Sequence, residues 1–274
     1  MADIPPPDRF DLGPALLFCP ADRPERFAGA LSKADAVILD LEDAVLPEAK
    51  AQARENIIST DLDPARVVVR VNAPASAEFT ADLAALTRTP FRNVMVAKTE
   101  DPAALDAFDE SYALIALCET AAGVLRVAEI AAHPRVAALM WGAEDLVASL
   151  GGTSSRFDSG SYRDIARHAR AATLLAAAGH GRAAIDAVHL DIDDEAGLAA
   201  EASDAAASGF RATACIHPKQ VPVIRDAYRP DADSREWARA VLAAAEGQRG
   251  VFSYRGRMVD EPLLRQARAI LGQA

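Results

Sequence analysis

Two acids in this chain stand where short apolar runs give way to polar residues. Glu119 lies at the end of Ala113 to Thr120, and Asp145 at the end of Val136 to Asp145. Read as neighbouring β-strands, these runs have backbones about 4.8 Å apart, so the two carboxylates converge on one hard cation. Mg²⁺ suits such a pair, because it takes only one or two protein carboxylates and fills its other positions with water and substrate oxygens. The plainer reading is a pair of solvated loop acids.

A third residue of this kind is Arg70, in Val-Arg-Val-Asn, where alternation with Val69 and Val71 aims the guanidinium away from the outer face. There it can hold a carboxylate by two parallel hydrogen bonds, or form an internal salt bridge to Asp40, Glu42 and Asp43, and the two roles are compatible. The acids of Leu39-Asp40-Leu41-Glu42-Asp43 read better as groups that orient others than as direct ligands. Lys98 also closes an apolar run; desolvated, it could form a Schiff base, and paired with an acid it is structural. His217-Pro218 ends a further run, where the imidazole touches substrate or bonds the backbone before a proline-fixed turn. His133, His168, His180 and His189 show no ligand spacing.

The elements that must position these groups form a series. Eight apolar runs, at Ala15 to Pro20, Ala36 to Asp43, Val67 to Asn72, Val94 to Lys98, Ala113 to Thr120, Val136 to Asp145, Ala184 to Asp191 and Ala212 to Pro218, each precede a helix-like segment. That rhythm predicts a closed (β/α)8 TIM barrel, whose chemistry sits at the C-terminal strand ends, and the chain's 274 residues suit a fold that needs about 250. The surplus lies after the sixth run, in the Gly/Ser-rich loop Ala148 to Tyr162 before an Ala-rich helix from about Arg163 to Ala178. Helix starts are expected at Pro24, after Asp101-Pro102 for Ala103 to Phe108, and at Ser234 for Arg235 to Glu246. The organisation read from this is a loose segment 1–14, a barrel over 15–230 and an extension over 231–274, with a short hairpin near Gly250 and a helix from about Pro262.

Composition narrows the function. The formal charge of −11 argues against nonspecific binding to nucleic acid or anionic membrane. Cys19, Cys118 and Cys215 are odd in number and lie inside apolar runs, so reduced thiols in a cytoplasmic protein are expected, with a thiolate nucleophile as the minor reading. The chain has neither a signal-peptide core nor an apolar stretch long enough to span a bilayer. Gly179-His-Gly-Arg matches a loose dinucleotide pattern, but in the wrong order, after a helix and before a strand; phosphate-loop, nucleophile-elbow and paired Cys-x-x-Cys motifs are missing.

Taken in order, the segments from Leu16-Leu-Phe-Cys-Pro-Ala-Asp-Arg through Asp35-Ala-Val-Ile-Leu-Asp-Leu-Glu-Asp, Val69-Arg-Val-Asn, Leu117-Cys-Glu-Thr, Trp141-Gly-Ala-Glu-Asp-Leu and Cys215-Ile-His-Pro to Gly256-Arg-Met-Val-Asp form one pattern. It resembles the citrate lyase β-subunit-like family of acyl-CoA lyases, within the HpcH/HpaI aldolase superfamily, from about residue 15 to 272. The resemblance implies a Mg²⁺-dependent enzyme, usually a homotrimer or hexamer, that cleaves or forms the carbon–carbon bond between a 2-oxo acid and an acyl-CoA. It implies that Glu119 and Asp145 hold the metal, that Arg70 binds the oxo-acid carboxylate, and that Arg23, Ile216 and His217 contact substrate or CoA. It further gives Asp260 the role of acid and base, brought by a neighbouring subunit's lid.

Two positions depart from that family's pattern, Ala21 and Lys33, where many relatives have glycine, and the first bears on how closely CoA approaches the backbone. The Trp141 and Ser154-Ser-Arg segments resemble stand-alone relatives, so a malyl-, citramalyl- or citryl-CoA-like thioester is the expected substrate class, without preference for citryl-CoA. Two alternatives make different predictions: a metal-dependent lyase on free 2-oxo acids shows no CoA effect, and a non-catalytic ligand-binding relative exchanges no proton.

Overall fold

The computed structural model describes residues 10–248 and 250–272. The chain divides into two compact units, one ending at Ile224 and the other starting at Arg225, whereas the sequence pattern set the division at 230/231.

In the first unit eight parallel strands close into a barrel in chain order. They are β1 (Ala15–Pro20), β2 (Ala36–Asp40), β3 (Val67–Val71), β4 (Asn93–Val96), β5 (Ala113–Cys118), β6 (Val136–Trp141), β7 (Ala183–Asp186) and β8 (Ala212–Cys215). Between them run α1 (Phe27–Lys33), α2 (Lys50–Ser59), α3 (Phe79–Leu86), α4 (Ala121–Leu125), α5 (Val127–Ala132), α6 (Ala143–Ser149), α7 (Asp164–Gly179) and α8 (Glu195–Ser208), and α9 (Gln220–Tyr228) contains the boundary with the second unit. The helix expected over Ala103 to Phe108 is a single 3₁₀ stretch, Pro102–Ala107, capped by the Asp101 side chain on the Ala103 N–H. With β5 resuming at Ala113, the connection is too short for a full α-helix.

Strands flanked by helices are buried on both faces, which explains the almost unbroken Val/Ile/Leu/Ala runs. Inside the barrel, alternate residues Leu16, Ile38, Val68, Met95, Leu117, Met140, Ile185 and Ala214 form one apolar cluster. Each large side chain of this kind contributes about 1.5–3 kcal/mol by leaving water. Phe10 and Leu12 are buried in the same cluster, so the end of the segment expected to be loose is packed; residues 1–9 lie outside the described residues. The physical reason is that the barrel interior must be filled, and two apolar side chains before the first strand are available to fill it.

Adding two to each inward position names the next layer up: Phe18, Asp40, Arg70, Ala97, Glu119, Gly142, Ala187 and Ile216. Seven of these, all but Ala97, line one cavity. The period of two along a strand thus places apolar packing and polar chemistry in successive layers of one barrel.

The second unit is described by itself. Helix α10 (Ala232–Ala245) starts earlier than expected, because the Asp231 side chain, and not Ser234, caps it by accepting from the Ser234 N–H. Strands β9 (Phe252–Tyr254) and β10 (Arg257–Val259) form a hairpin followed by α11 (Glu261–Gly272). Its two-residue turn has positive φ at both Arg255 (49°) and Gly256 (76°), as the twist-matching hairpin turn requires. Ala238, Val241, Val259 and Ala267 form its core.

Candidate active site

The cavity, about 240 Å³, opens among the residues that follow the strands' C-terminal ends. Glu119 comes directly after β5 and is 3 % exposed. Asp145, expected at a strand end, is instead in the first turn of α6. Strand β6 stops at Trp141 because Gly142 takes the helix N-cap position, and the acids Glu144 and Asp145 are favourable beside the helix's positive end. Both carboxylates still line the same cavity.

Burial first, and the neighbouring Asp145 charge second, push the Glu119 carboxyl up to about 8. A buried carboxyl raised in part by a neighbouring acid's charge is a fitting donor for a divalent cation, whose charge would offset that repulsion. Gly142 makes the room: a Cβ there would lie 2.7 Å from Glu119 Oε2. A hard cation such as Mg²⁺ therefore fits the residues present, with Glu119 and Asp145 as its protein ligands and its other positions left to water and substrate.

Arg70 and Asp40 are register partners on adjacent strands. Arg70 donates from Nε to Asp40 Oδ1 at 2.7 Å and from Nη2 to Asp40 Oδ2 at 2.6 Å, with Nη1 3.1 Å from Glu42 Oε2. The guanidinium also packs over Phe18, 4.9 Å from the ring centroid. The internal salt bridge is thus realised, and it occupies the side-on edge; of the five N–H groups, Nη1 and Nη2 each keep one outside these contacts. Asp40 is held in turn by the Glu42 and Ala44 N–H groups, at 2.8 and 3.2 Å.

Lys98 pairs with Glu42 and donates to Asp43 at 2.8 Å, and its Nζ is 3.4 Å from Asp145 Oδ1. Burial opposes its charge, but these carboxylates outweigh it and keep the ammonium protonated, which denies it the free amine that a Schiff base needs. The thiolate reading also fails at two positions, since burial pushes Cys118 up to about 12 and Cys19 up to about 11.

The remaining expected residues are more dispersed. Ile216 lines the cavity. His217 takes the backbone role, its Nδ1 accepting from the Lys219 N–H at 3.2 Å, while the buried Gln220 side chain accepts from the Ile216 and His217 N–H groups. Arg23 is exposed, 3.9 Å from Asp22. Asp260 belongs to the second unit, where Oδ1 accepts from the Leu263 N–H at 3.3 Å at the start of α11.

Sequence reasoning missed the supports. Trp141 donates from Nε1 to Asp186 at 2.6 Å, and Arg170 clamps the same carboxylate. The buried Ser155 hydroxyl donates to Glu144 at 2.6 Å. Buried Lys50 donates to the carbonyls of Leu41 and Glu42 and to Asn72 Oδ1, at 2.8, 2.9 and 2.7 Å, fixing the loop that carries Glu42. These partners lie up to 45 residues apart, and only Lys50, a lone cation in the first turn of a helix behind an acidic loop, left any signal in the sequence.

Fold and cavity together define a (β/α)8 barrel with two carboxylates and an arginine gathered in one cavity at its mouth. Comparison with known proteins agrees. The chain belongs to the HpcH/HpaI aldolase/citrate lyase family, whose model matches residues 15–218. It is 53 % identical over 262 residues to a citrate lyase subunit beta-like protein of Mycobacterium tuberculosis, covering 96 % of each chain. A crystal structure of protein CitE from that organism, in complex with magnesium, acetoacetate and coenzyme A, superposes with a TM-score of 0.92 at 53 % identity, covering 97 % of this chain and 99 % of that one. The mitochondrial citramalyl-CoA lyase of Homo sapiens is 32 % identical over 286 residues, with 92 % of this chain and 83 % of the relative covered.

Proposed function

We propose that this protein is a Mg²⁺-dependent carbon–carbon lyase that cleaves a 3-hydroxyacyl-CoA of the malyl-, citramalyl- or citryl-CoA type to an acetyl-CoA-type thioester and an oxo acid, or forms it in reverse. The observation that carries this is the Glu119–Asp145 carboxylate pair, set with the free edge of Arg70 in one cavity at the barrel mouth. The likeness to a protein crystallised with magnesium, an oxo acid and coenzyme A, and to a citramalyl-CoA lyase, supports the same class.

When bound, Mg²⁺ supplies Lewis-acid polarisation of the oxo-acid carbonyl and stabilises negative charge on that oxygen during bond cleavage. Glu119 and Asp145 hold it. Arg70 pins the carboxylate of the oxo acid through its free Nη N–H groups, while Asp40 and Glu42 keep the guanidinium from turning. In the cleavage direction the hydroxyl proton passes to solvent water, the bond between the acyl α-carbon and the carbinol carbon breaks to leave the oxo acid's carbonyl, and the electron pair stays on the thioester as an enolate. Asp260 then delivers a proton to that carbon, and in condensation it removes one. Arg23, Ile216 and His217 contact the CoA part.

The family resemblance and the exposed leucines Leu125 and Leu175, 84 % and 73 % accessible on α4 and α7, support a homotrimer or hexamer. A cytoplasmic location is supported by three buried cysteines that form no disulfide; no helix among the described residues is long and apolar enough to cross a membrane.

The test is exchange of acetyl-CoA methyl protons into D₂O with a panel of oxo acids. Mg²⁺-dependent exchange that falls at least about a hundredfold in Glu119→Gln and in Asp260→Asn is expected for loss of a ligand or a general base. Exchange untouched in Asp260→Asn removes that residue from the role. No exchange with any oxo acid sinks the CoA-lyase reading.

A further inference from the structure

Lys98 is one of two non-glycine residues with positive φ among the described residues, and the other lies in the surface hairpin. At φ 47° its backbone is in the left-handed region, a conformation that persists in a lysine only where surrounding contacts over-determine it. Those contacts are present. The left-handed turn after β4 sends the Lys98 N–H to Glu119 Oε1, at 3.2 Å, and the side chain to Glu42, Asp43 and, at 3.4 Å, Asp145 Oδ1. A single residue thus touches both carboxylates of the candidate metal site, one through its main chain and the other through its ammonium. Just before it, in the turn that follows β4, stands the small residue Ala97, fully buried.

Other cations near the pair are committed elsewhere: Arg70 is engaged by Asp40 and Glu42. Lys98 Nζ, at 3.4 Å, is in ion-pair contact with Asp145 Oδ1. We propose that Lys98 is the positioning residue of the carboxylate pair and that its charge sets the site's cation affinity: the N–H orients Glu119, the ammonium orients Asp145, and the same ammonium competes with Mg²⁺ for that carboxylate. The site then binds Mg²⁺ loosely enough to exchange it. This rests on the reading of Glu119 and Asp145 as metal ligands.

Removing the ammonium has two consequences for the metal, and both favour it. A positive charge within contact distance of the cation's ligand disappears, and the two acids lose the group that offset their mutual repulsion. The lost orientation of Asp145 acts in the opposite direction but is a shorter-ranged effect on an acid already anchored in a helix.

The experiment is calorimetric titration of Mg²⁺ into the full-length protein. Lys98→Met and Lys98→Gln should bind Mg²⁺ at least about tenfold more tightly than the wild type, with Lys98→Arg within about threefold of it. A lysine that only holds the fold together gives neutral variants with unchanged or weaker Mg²⁺ binding, and that result overturns the proposal. Should Lys98→Met fail to fold without metal, Lys98→Gln and its melting temperature with and without Mg²⁺ decide instead: a larger Mg²⁺-induced rise than in the wild type supports the proposal, and an equal or smaller one refutes it. Asp145→Asn serves as the reference. If the wild type takes up no Mg²⁺, or Asp145→Asn binds as well as wild type, the metal-site reading itself has failed; a wild type that binds through Asp145 while the neutral Lys98 variants match it leaves that reading standing and removes Lys98 alone.

Discussion

Asp40 accepts four hydrogen bonds, two from Arg70 and one each from the Glu42 and Ala44 N–H groups, in a position 1 % exposed. Truncating one member of such a pair leaves the other buried and under-compensated, whereas removing both does not. Asp40→Ala should therefore lose about 3–5 kcal/mol of stability. Asp40→Leu with Arg70→Met should lose less than the two single changes added together, by about 1–3 kcal/mol, in a denaturant-melt cycle. Additive losses would mean that the pair is not a coupled unit. Much of this was legible: Ile38 to Asp40, Val68 to Arg70 and Leu117 to Glu119 are steps of two, so apolar inward positions already mark where the polar layer must lie. Asp145 was not legible in this way, because β6 ends at Trp141 and α6 begins at Ala143, two residues before it. Periodicity sees apolar residues, and a helix that starts on Ala-Glu-Asp continues the apolar count without announcing its change of period.

At the scale of elements, the strand starts were readable to within a residue, as were the ends of β1 and β3, while the other runs overshot their strands, because polar residues that follow β2, β6 and β7 belong to loops or helices. The long β6–α7 connection shows why. Arg156 pairs with Glu201 on α8 and packs 3.7 Å over the Tyr162 ring centroid, and Tyr162 meets Trp141 edge-on. Glu201 also binds His189 Nδ1 at 2.9 Å, tying the β7–α8 loop to the same brace. None of these contacts has a local spacing, so none leaves a pattern in the chain. Their pH response follows from the charges. The hydrogen bond that His189 donates to the Glu201 carboxylate raises the imidazole above its ordinary 6.5, against burial. For Glu201, burial pushes upward, but His189 and Arg156 outweigh it and hold the carboxyl below its ordinary 4.5. A raised imidazole stabilises fully below 6.5 and loses that contribution as pH climbs through the folded-state value. A depressed carboxylate stabilises above 4.5 and loses its share as pH falls through its folded-state value. Thermal melts across pH should show His189→Gln flattening the alkaline flank, and Glu201→Gln flattening both flanks. A wild-type flank that keeps its slope in His189→Gln would assign it to another group.

For the whole molecule, the role proposed for Asp260 makes a prediction about assembly. The barrel unit carries Arg70, Glu119 and Asp145, and Asp260 sits in the other unit, on the turn between β10 and α11. If Asp260 acts on the barrel of a neighbouring subunit, an assembly of identical chains contains as many complete sites as chains, each built from two of them. A mixture of Glu119→Gln chains with Asp260→Asn chains then regains function that neither has alone, because an Asp260→Asn barrel with an intact carboxylate pair can be served by a Glu119→Gln neighbour with an intact Asp260. Random assembly from equal amounts makes about a quarter of the sites complete in a ring of such head-to-tail contacts. The expected outcome is therefore about a quarter of wild-type proton exchange after co-refolding or co-expression, in particles with three or six times the chain's 28.9 kDa by light scattering. Exchange that stays at the level of the separate variants in particles of that mass would show that Asp260 serves its own chain or none. A monomeric mass with full wild-type activity would place every catalytic group within one chain.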